Sequence, residues 1–185
     1  MRTLVIYESM YGNTHTIAEA IAAGARLAGD ATVVAVDHVR PDEVAAADLV
    51  VVGGPTHAHG MSRPSTRQGA VDALPTHPDL ALDPDAEGPG VREWLGSLER
   101  TTGCAASFDT RVDIAPLLSG RASKGIGKAL ERHGFELVAG PESFLVTKET
   151  HLVDGEEDRA RAWGEQLTAA TAARTASAAH TTTTS

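Results

Sequence analysis

The sequence has little cysteine, few aromatic residues and no cluster of positive charge. With one cysteine, Cys104, no intrachain disulfide can form, and its apolar neighbours predict a small core residue. The formal net charge is -9 and no run of Lys or Arg occurs, which argues against a nucleic acid or an anionic membrane as partner. No apolar stretch approaches the roughly 20 residues that cross a bilayer.

The size of the chain suits one domain. Its 185 residues are 42% hydrophobic, enough for one buried core and short for two. The sequence starts with a strand-like segment and has no signal-peptide pattern, so we expect a soluble, cytoplasmic protein. The tail from about residue 176 is rich in Thr, Ala and Ser, which predicts disorder after a single domain over residues 1–175.

The first polar loop follows the apolar run of residues 4–6. Helical periodicity begins at Ile17, so the order is strand, tight loop, helix. Such a loop directs free backbone N–H groups and the positive end of the helix dipole at one point, which suits a phosphate. Ser9, Asn13, Thr14 and also Thr16 offer side-chain donors, and Gly12 allows close approach.

Other phosphate-binding loops do not match. A nucleoside-triphosphate P-loop requires a lysine, and this loop has none. It also lacks the three spaced glycines of a dinucleotide fold. Residues 125–129 resemble the end of a P-loop but lack the hydroxyl after the lysine and the leading glycine. By itself, the segment 9–16 is equally compatible with a simple helix cap.

A second polar loop, residues 53–60, follows the strand predicted at 49–52. Together the two loops resemble those of the flavodoxin family. The family's phosphate loop, Ser/Thr-x-Thr-Gly-Asn-Thr, matches residues 9–14 with Tyr11 replacing the middle threonine. Its first flavin loop, Gly-x-Pro-Thr-Trp-x-x-Gly, matches residues 53–60 with His57 replacing tryptophan. The resemblance covers roughly residues 2–170, with one interruption.

Strands alternate with helices along the chain, which predicts an α/β fold with a parallel sheet covered on both faces. Further strands are predicted at 32–36, 103–108 and 135–146, the last interrupted at Gly140-Pro141. Helices are predicted at 15–28, from Pro41, and at 91–99, 122–133 and 158–173. Residues 109–113 are predicted to be a loop. Residues 62–90 are predicted to be an insertion with little regular structure, apart from a helix at 68–73.

Five strands suggest a flavodoxin-like, doubly wound sheet of order 2-1-3-4-5, with the ligand at the switch point between strands one and three. A response-regulator receiver shares this topology. It would need a phosphorylatable aspartate at the end of strand three, where this chain has Gly53 and Gly54.

The resemblance implies FMN as cofactor, held by three loops: one at the phosphate and two along the flavin ring. The implied residues are Ser9, Met10, Tyr11, Gly12, Asn13, Thr14, Pro55, Thr56, His57, Ala58, His59, Gly60, Phe108, Asp109, Thr110 and Arg111. His57 and His59 could instead be metal ligands or a surface pair. Metal sites usually show several clustered ligands, so we predict cofactor contact and no metal.

Aromatic residues make up only 4% of the chain, whereas flavodoxins usually sandwich the flavin between aromatic rings. His57 stands at one such position, and Thr110 or Arg111 near the other, so we expect one open ring face. Arg111 could approach the flavin N1 or O2, or instead pair with Asp109 or Asp113. In the insertion, Arg63 and Arg67 could meet an anion or simply be solvated.

Three functions stay open. The protein could be an electron carrier that docks to a redox partner protein, or a flavin enzyme that reduces a small molecule, such as a quinone or NAD(P)H oxidoreductase. It could also be a degenerate member that binds no flavin. The intact phosphate loop argues against the third, the acidic charge favours the carrier, and the open face with the insertion favours the enzyme. No catalytic residue is predicted.

Overall fold

The computed structural model describes residues 1–57, 60–76 and 79–182. Within them the strands are β1 Arg2–Tyr7, β2 Asp30–Ala35, β3 Leu49–His57, β4 Gly60–Met61, β5 Gly103–Val112, β6 Phe135–Leu137 and β7 Glu142–Val146. The helices are α1 Asn13–Ala25, α2 Pro41–Ala46, α3 Pro64–Ala73, α4 Val91–Ser97, α5 Pro116–Ser119, α6 Ala122–His133 and α7 Glu156–Thr182. Among the described residues, every helix is too short or too polar to span a bilayer.

The sheet has the predicted flavodoxin-like topology. Strands β2, β1, β3, β5 and β6 lie in this order and are parallel, and β7 also pairs with β5. Since β6 and β7 flank Gly140-Pro141, they correspond to the interrupted fifth strand. The predicted order 2-1-3-4-5 is therefore confirmed. A short antiparallel strand, β4, is added to the end of β3.

Helices cover both faces of the sheet, because the central strands are apolar on both sides. On one face, α1 and α7 pack on Val5, Val51 and Phe108. On the other, α2, α4 and α6 pack on Ile6 and Val50. Cys104 is half-buried at the edge of the first cluster.

Helices α1 and α7 approach closely at two glycines. A Cβ atom at Gly24 would collide with the carbonyl oxygen of Arg161, and one at Gly164 would collide with that of Ile21. The backbones can meet because neither position carries a side chain. Helix α7 is thereby fixed against the helix that follows the first loop.

Three predictions about local structure differ from the observed structure. Residues 109–112 are strand rather than loop, because they pair with β7. The insertion is more regular than predicted, with α3 and a 3₁₀ turn at Leu74–Thr76. The last helix continues past residue 176 to Thr182, in an alanine-rich segment of high helix propensity; residues 183–185 lie outside the described chain.

Candidate functional site

A cavity of about 150 Å³ opens at the carboxyl ends of β1, β3 and β5. The strand ends bring together most of the predicted site residues there, with three that were not predicted. Its lining residues are Ser9, Met10, Tyr11, Asn13, Thr14, Pro55, Thr56, His57, Thr110, Arg111, Val112, Val146 and Thr150. We call this space the loop cavity.

A larger cavity, about 740 Å³, lies at the opposite end of the strands and is lined by Arg2, Leu4 and Asp30, among others. In open α/β sheets, ligands bind outside the carboxyl ends of the strands, at the switch point of strand order. Strands β1 and β3 form this switch point here, since β2 continues to one side and β5 to the other. We therefore assign the functional site to the smaller loop cavity.

The first loop presents an uncapped helix end. Gly12 is the N-cap residue of α1 with φ 87, no side chain caps the helix, and its first turn holds no acidic residue. The Ser9 hydroxyl oxygen accepts the Gly12 N–H at 3.1 Å, which shapes the turn. The first N–H groups of a helix have no partner inside it, so these groups are available to an anion.

Other segments hold this loop in place through its predicted ligand side chains. The Thr14 hydroxyl lies 2.7 Å from that of Thr110, and the Asn13 side-chain amide donates to the Thr150 carbonyl at 2.8 Å. The Tyr11 hydroxyl donates to the carbonyl of Ala70 in α3 at 2.9 Å. The loop is thus connected to β5, to the turn after β7 and to the insertion.

In the second loop, His57 is the last residue of β3 and pairs with Gly60. Burial lowers the pKa of the His57 ring; Arg67 acts in the same direction, while Glu8 and a hydrogen bond with the Thr66 backbone oppose it. A neutral ring is therefore favoured near neutral pH. Of the other predicted residues, Gly60 does not line the loop cavity, and Ala58 and His59 lie outside the described residues.

Phe108 and Asp109 do not line the loop cavity, contrary to the prediction. Phe108 is fully buried, with its ring against those of Phe144 and Trp163. Asp109 is also fully buried, and its carboxylate accepts the backbone N–H of Ser123 at 2.7 Å. One side chain builds the core and the other holds the start of α6.

Arg111 does line the loop cavity. Its Nη1 donates to the carbonyls of Ile114 at 2.8 Å and Val112 at 3.2 Å, and to the Ser119 hydroxyl at 3.3 Å. These partners are neutral oxygens, not the carboxylates considered from the sequence. Its Nε is buried and has no hydrogen-bond partner in the described part of the chain.

Comparison with known proteins agrees with this geometry. The family model described as Flavodoxin matches residues 5–79. Over these residues the chain is similar to the flavodoxin family. This segment contains both loops on which the resemblance rests. No curated protein matches the chain in sequence.

Solved structures extend the likeness to the whole flavodoxin-like fold. An archaeal flavodoxin has a TM-score of 0.63 at 18% identity, covering 92% of this chain and 99% of that chain. A WrbA-like flavodoxin from Agrobacterium tumefaciens has a TM-score of 0.58 at 22% identity, covering 92% and 96%. Rubredoxin oxygen:oxidoreductase from Desulfovibrio gigas has a TM-score of 0.60 at 17% identity; the match covers 95% of this chain but 37% of that protein.

Three residues that line the loop cavity escaped prediction: Val112, Val146 and Thr150. Val112 and Val146 are paired ends of β5 and β7, and β5 was expected to end earlier. Thr150 has a positive φ of 67, in a turn closed by the Thr147 N–H donating to the carbonyl of His151. No sequence signal marks this turn as part of the site.

The insertion packs against the first loop. The Asp83 N–H donates to the carbonyl of Met10 at 2.8 Å, and the Asp83 carboxylate lies 3.3 Å from the His15 ring. The His15 ring stacks on Tyr7 with centroids 4.3 Å apart. Burial, together with Asp83 and Asp85, raises the pKa of the Tyr7 hydroxyl. The insertion is thus attached to the first loop through the contacts of Asp83 with Met10 and His15.

A buried polar cluster connects the insertion with Glu8, at the end of β1, and with α4. Glu8 is 6% exposed, and one carboxylate oxygen accepts the Val91 N–H at 2.8 Å while the other has no partner among the described residues. Arg67 pairs with Glu93 at 3.0 Å and donates to the Ser62 hydroxyl at 3.0 Å. Arg67 is therefore internal and does not face solvent as a free cation.

Proposed function

We propose that the protein binds FMN at the loop cavity and acts in electron transfer. The observation that carries this proposal is the uncapped N-terminus of α1, which lies beside the Ser9 and Thr14 hydroxyls at the carboxyl edge of the sheet. Backbone N–H groups at a helix start bind phosphate without a positively charged side chain. The family match over residues 5–79 supports the same ligand.

The residues present fit the phosphate end of FMN. The helix N–H groups and the Ser9 hydroxyl are donors, and the Arg111 Nε is a buried donor without a partner among the described residues. The cavity measures about 150 Å³, whereas ligand pockets typically measure about 300–1,000 Å³. It therefore accommodates only part of the cofactor.

FMN, when bound, supplies one- or two-electron transfer, and the protein sets access and electrostatics. In this chain α1 would fix the phosphate, while Pro55 to His57 and Thr110 form the walls of the cavity. Arg111 places a positive charge at one wall. That charge favours whichever cofactor state carries more negative charge.

A second candidate is an oxidoreductase that reduces a small molecule, such as a quinone, or that takes electrons from NAD(P)H. It is favoured by the side chains at the stacking positions. His57 and Thr110 line the loop cavity where aromatic rings would cover a flavin in the family. An uncovered ring face would admit a small reactant, whereas a redox partner protein needs only the exposed edge.

Cofactor identity tests the proposal directly. We expect the purified protein, or the apoprotein incubated with FMN, to release FMN on heating, identified by mass and by the two visible absorption bands of the holoprotein. Recovery of FAD, or no flavin uptake from excess FMN, would overturn the proposal.

Variants of the first loop test the site. Ser9→Ala combined with Thr14→Val removes two hydroxyls, each worth about 0.5–1.5 kcal/mol, so FMN affinity should fall at least about tenfold. Ser97→Ala removes an exposed hydroxyl on α4 and serves as the matched control. If quenching of FMN fluorescence gives equal affinities for both variants, the phosphate binds elsewhere.

A further inference from the structure

A second cavity, about 290 Å³, lies next to the loop cavity. Its walls are the paired residues at the end of β3 and in β4, the first turn of α3 and one side chain of α4. The lining residues are His57, Gly60, Met61, Arg63, Ser65, Thr66 and Arg92. His57 belongs to both linings, so one imidazole ring forms the wall between the two spaces.

The second cavity is positively charged in a chain whose formal net charge is -9. Its described lining contains Arg63 and Arg92 and no carboxylate. Arg92 donates through Nε to the carbonyl of Ser62 and through Nη2 to that of Met61, both at 2.8 Å. These neutral acceptors leave the charge of Arg92 uncompensated.

Arg63 adds a second charge of the same kind. Among the described residues its guanidinium has no hydrogen bond or ion pair, whereas the neighbouring Arg67 is paired with Glu93. Arg63 is also exposed, so it can move toward a ligand at little cost.

The start of α3 reinforces this charge. Arg63 is the N-cap residue, Pro64 opens the ten-residue helix, and its first turn has no acidic residue. The helix dipole therefore points its positive end into the second cavity without a neutralising side chain. Two guanidinium groups and one helix end thus act on the same space.

We propose that the second cavity binds a small carboxylate- or phosphate-bearing molecule beside the cofactor. Arginine recognises both groups through paired, charge-assisted hydrogen bonds. The volume lies near the lower end of the range for ligand pockets, which suits a molecule of about one ring. The role of this anion as the reactant of the flavin rests on the proposed function. The binding of the anion does not depend on it.

Probe anions test the site on the full-length protein. Benzoate and phenyl phosphate carry the two anionic groups on one ring, and benzamide is a neutral molecule of the same shape as benzoate. We expect saturable binding of at least one anion by ligand-observed NMR and none of benzamide. The stronger of the two anions identifies the group that the site prefers.

The decisive variant is Arg63→Gln, because the Arg63 guanidinium has no hydrogen bond or ion pair in the described part of the chain. The affinity for the preferred anion should fall at least about tenfold. Arg161→Gln, at an exposed position of α7, removes the same charge far from the cavity and should leave the affinity unchanged. Equal loss in both variants would overturn the proposal, as would equal binding of benzamide or no saturable anion binding.

The same titration in FMN-loaded protein separates this inference from the proposed function. Anion binding next to His57 should change the flavin absorbance in the wild type and not in Arg63→Gln. Anion binding without any FMN uptake would overturn the proposed function and support the second cavity. FMN uptake without anion binding would support the proposed function and overturn the proposal for the second cavity.

Discussion

The hydroxyl oxygens of Thr14 and Thr110 lie 2.7 Å apart in a buried hydrogen bond. It links the first turn of α1 to β5, two elements that are 96 residues apart in sequence. The position of the first loop relative to the end of β5 therefore depends on this contact.

Thr110→Val should destabilise the protein. It removes the hydrogen bond and leaves the Thr14 hydroxyl buried without that partner, at a cost of roughly 1–3 kcal/mol. The free energy of unfolding from urea titrations gives the measurement. Thr110→Ser keeps the hydroxyl and should lose clearly less; an equal loss in both variants would show that the hydrogen bond is not the cause.

Gly12→Ala should lower stability through the backbone alone. A Cβ at Gly12 would meet nothing within 4 Å, but φ is 87, and a side chain in this region costs roughly 1–2 kcal/mol. Gly69→Ala is the matched control, because Gly69 also has open space around it but lies inside α3, where alanine should gain roughly 0.5–1 kcal/mol. Urea midpoints that shift in the same direction for both variants would contradict this explanation.

Thr150→Gly should stabilise the protein. Thr150 is the one non-glycine residue with positive φ among the described residues, and glycine would relieve roughly 1 kcal/mol of strain. The contact from Asn13 uses the Thr150 carbonyl and survives the change. Glu149→Gly, at the exposed neighbouring position, should not stabilise; a gain there as large as at Thr150 would rule out strain relief.

His57→Gln should change how stability depends on pH. The folded pKa of His57 lies below its ordinary value, which is about 6.5 in an unfolded chain. Above that pH the preference for a neutral ring is fully present, and it is lost as the pH falls toward the folded pKa, because the unfolded chain then binds the proton more readily. Urea unfolding at pH 7.5 and 5.5 should show a larger acid-induced loss in the wild type than in the variant.

The same pair of measurements on His38→Gln supplies the reference, since His38 is exposed. This variant should retain the acid-induced loss of the wild type. A loss in His57→Gln equal to that of the wild type would show that the ring does not contribute.

Arg111→Met should make bound FMN harder to reduce. Removing a positive charge from the cavity wall disfavours the cofactor state with more negative charge, and the expected change in midpoint potential is of the order of tens of millivolts. A redox titration followed by absorbance measures it. Arg161→Met should leave the potential unchanged, and an equal shift in both variants would point to overall charge instead.

Much of the fold could be predicted from local sequence. Apolar runs with turn residues marked the strands, and Gly134, with φ 104 as the C-cap of α6, marked the end of that helix. The extension of β5 through Val112 could not be predicted, because it depends on pairing with β7, a contact between distant segments. Composition also misjudged the tail, since alanine favours a helix even where little apolar surface is present.

The residues of the candidate site also fall into two groups, those that local sequence predicts and those that depend on tertiary structure. Residues 9–14 follow a strand directly, so their local pattern was enough to predict a loop at the sheet edge. Phe108 and Asp109 were placed in the site by analogy, but the register of β5 directs them into the core and toward α6. Thr150 reaches the site through tertiary structure alone.

The glycine contact between α1 and α7 has a consequence for biosynthesis. Gly24 in α1 and Gly164 in α7 are 140 positions apart in sequence, so the ribosome must synthesise and release all of this length before the two helices can meet. Contacts of such long range form late and slow folding. A nascent chain that already contains the whole first loop would still lack the support behind it, so tight capture of a phosphate must await the synthesis of α7.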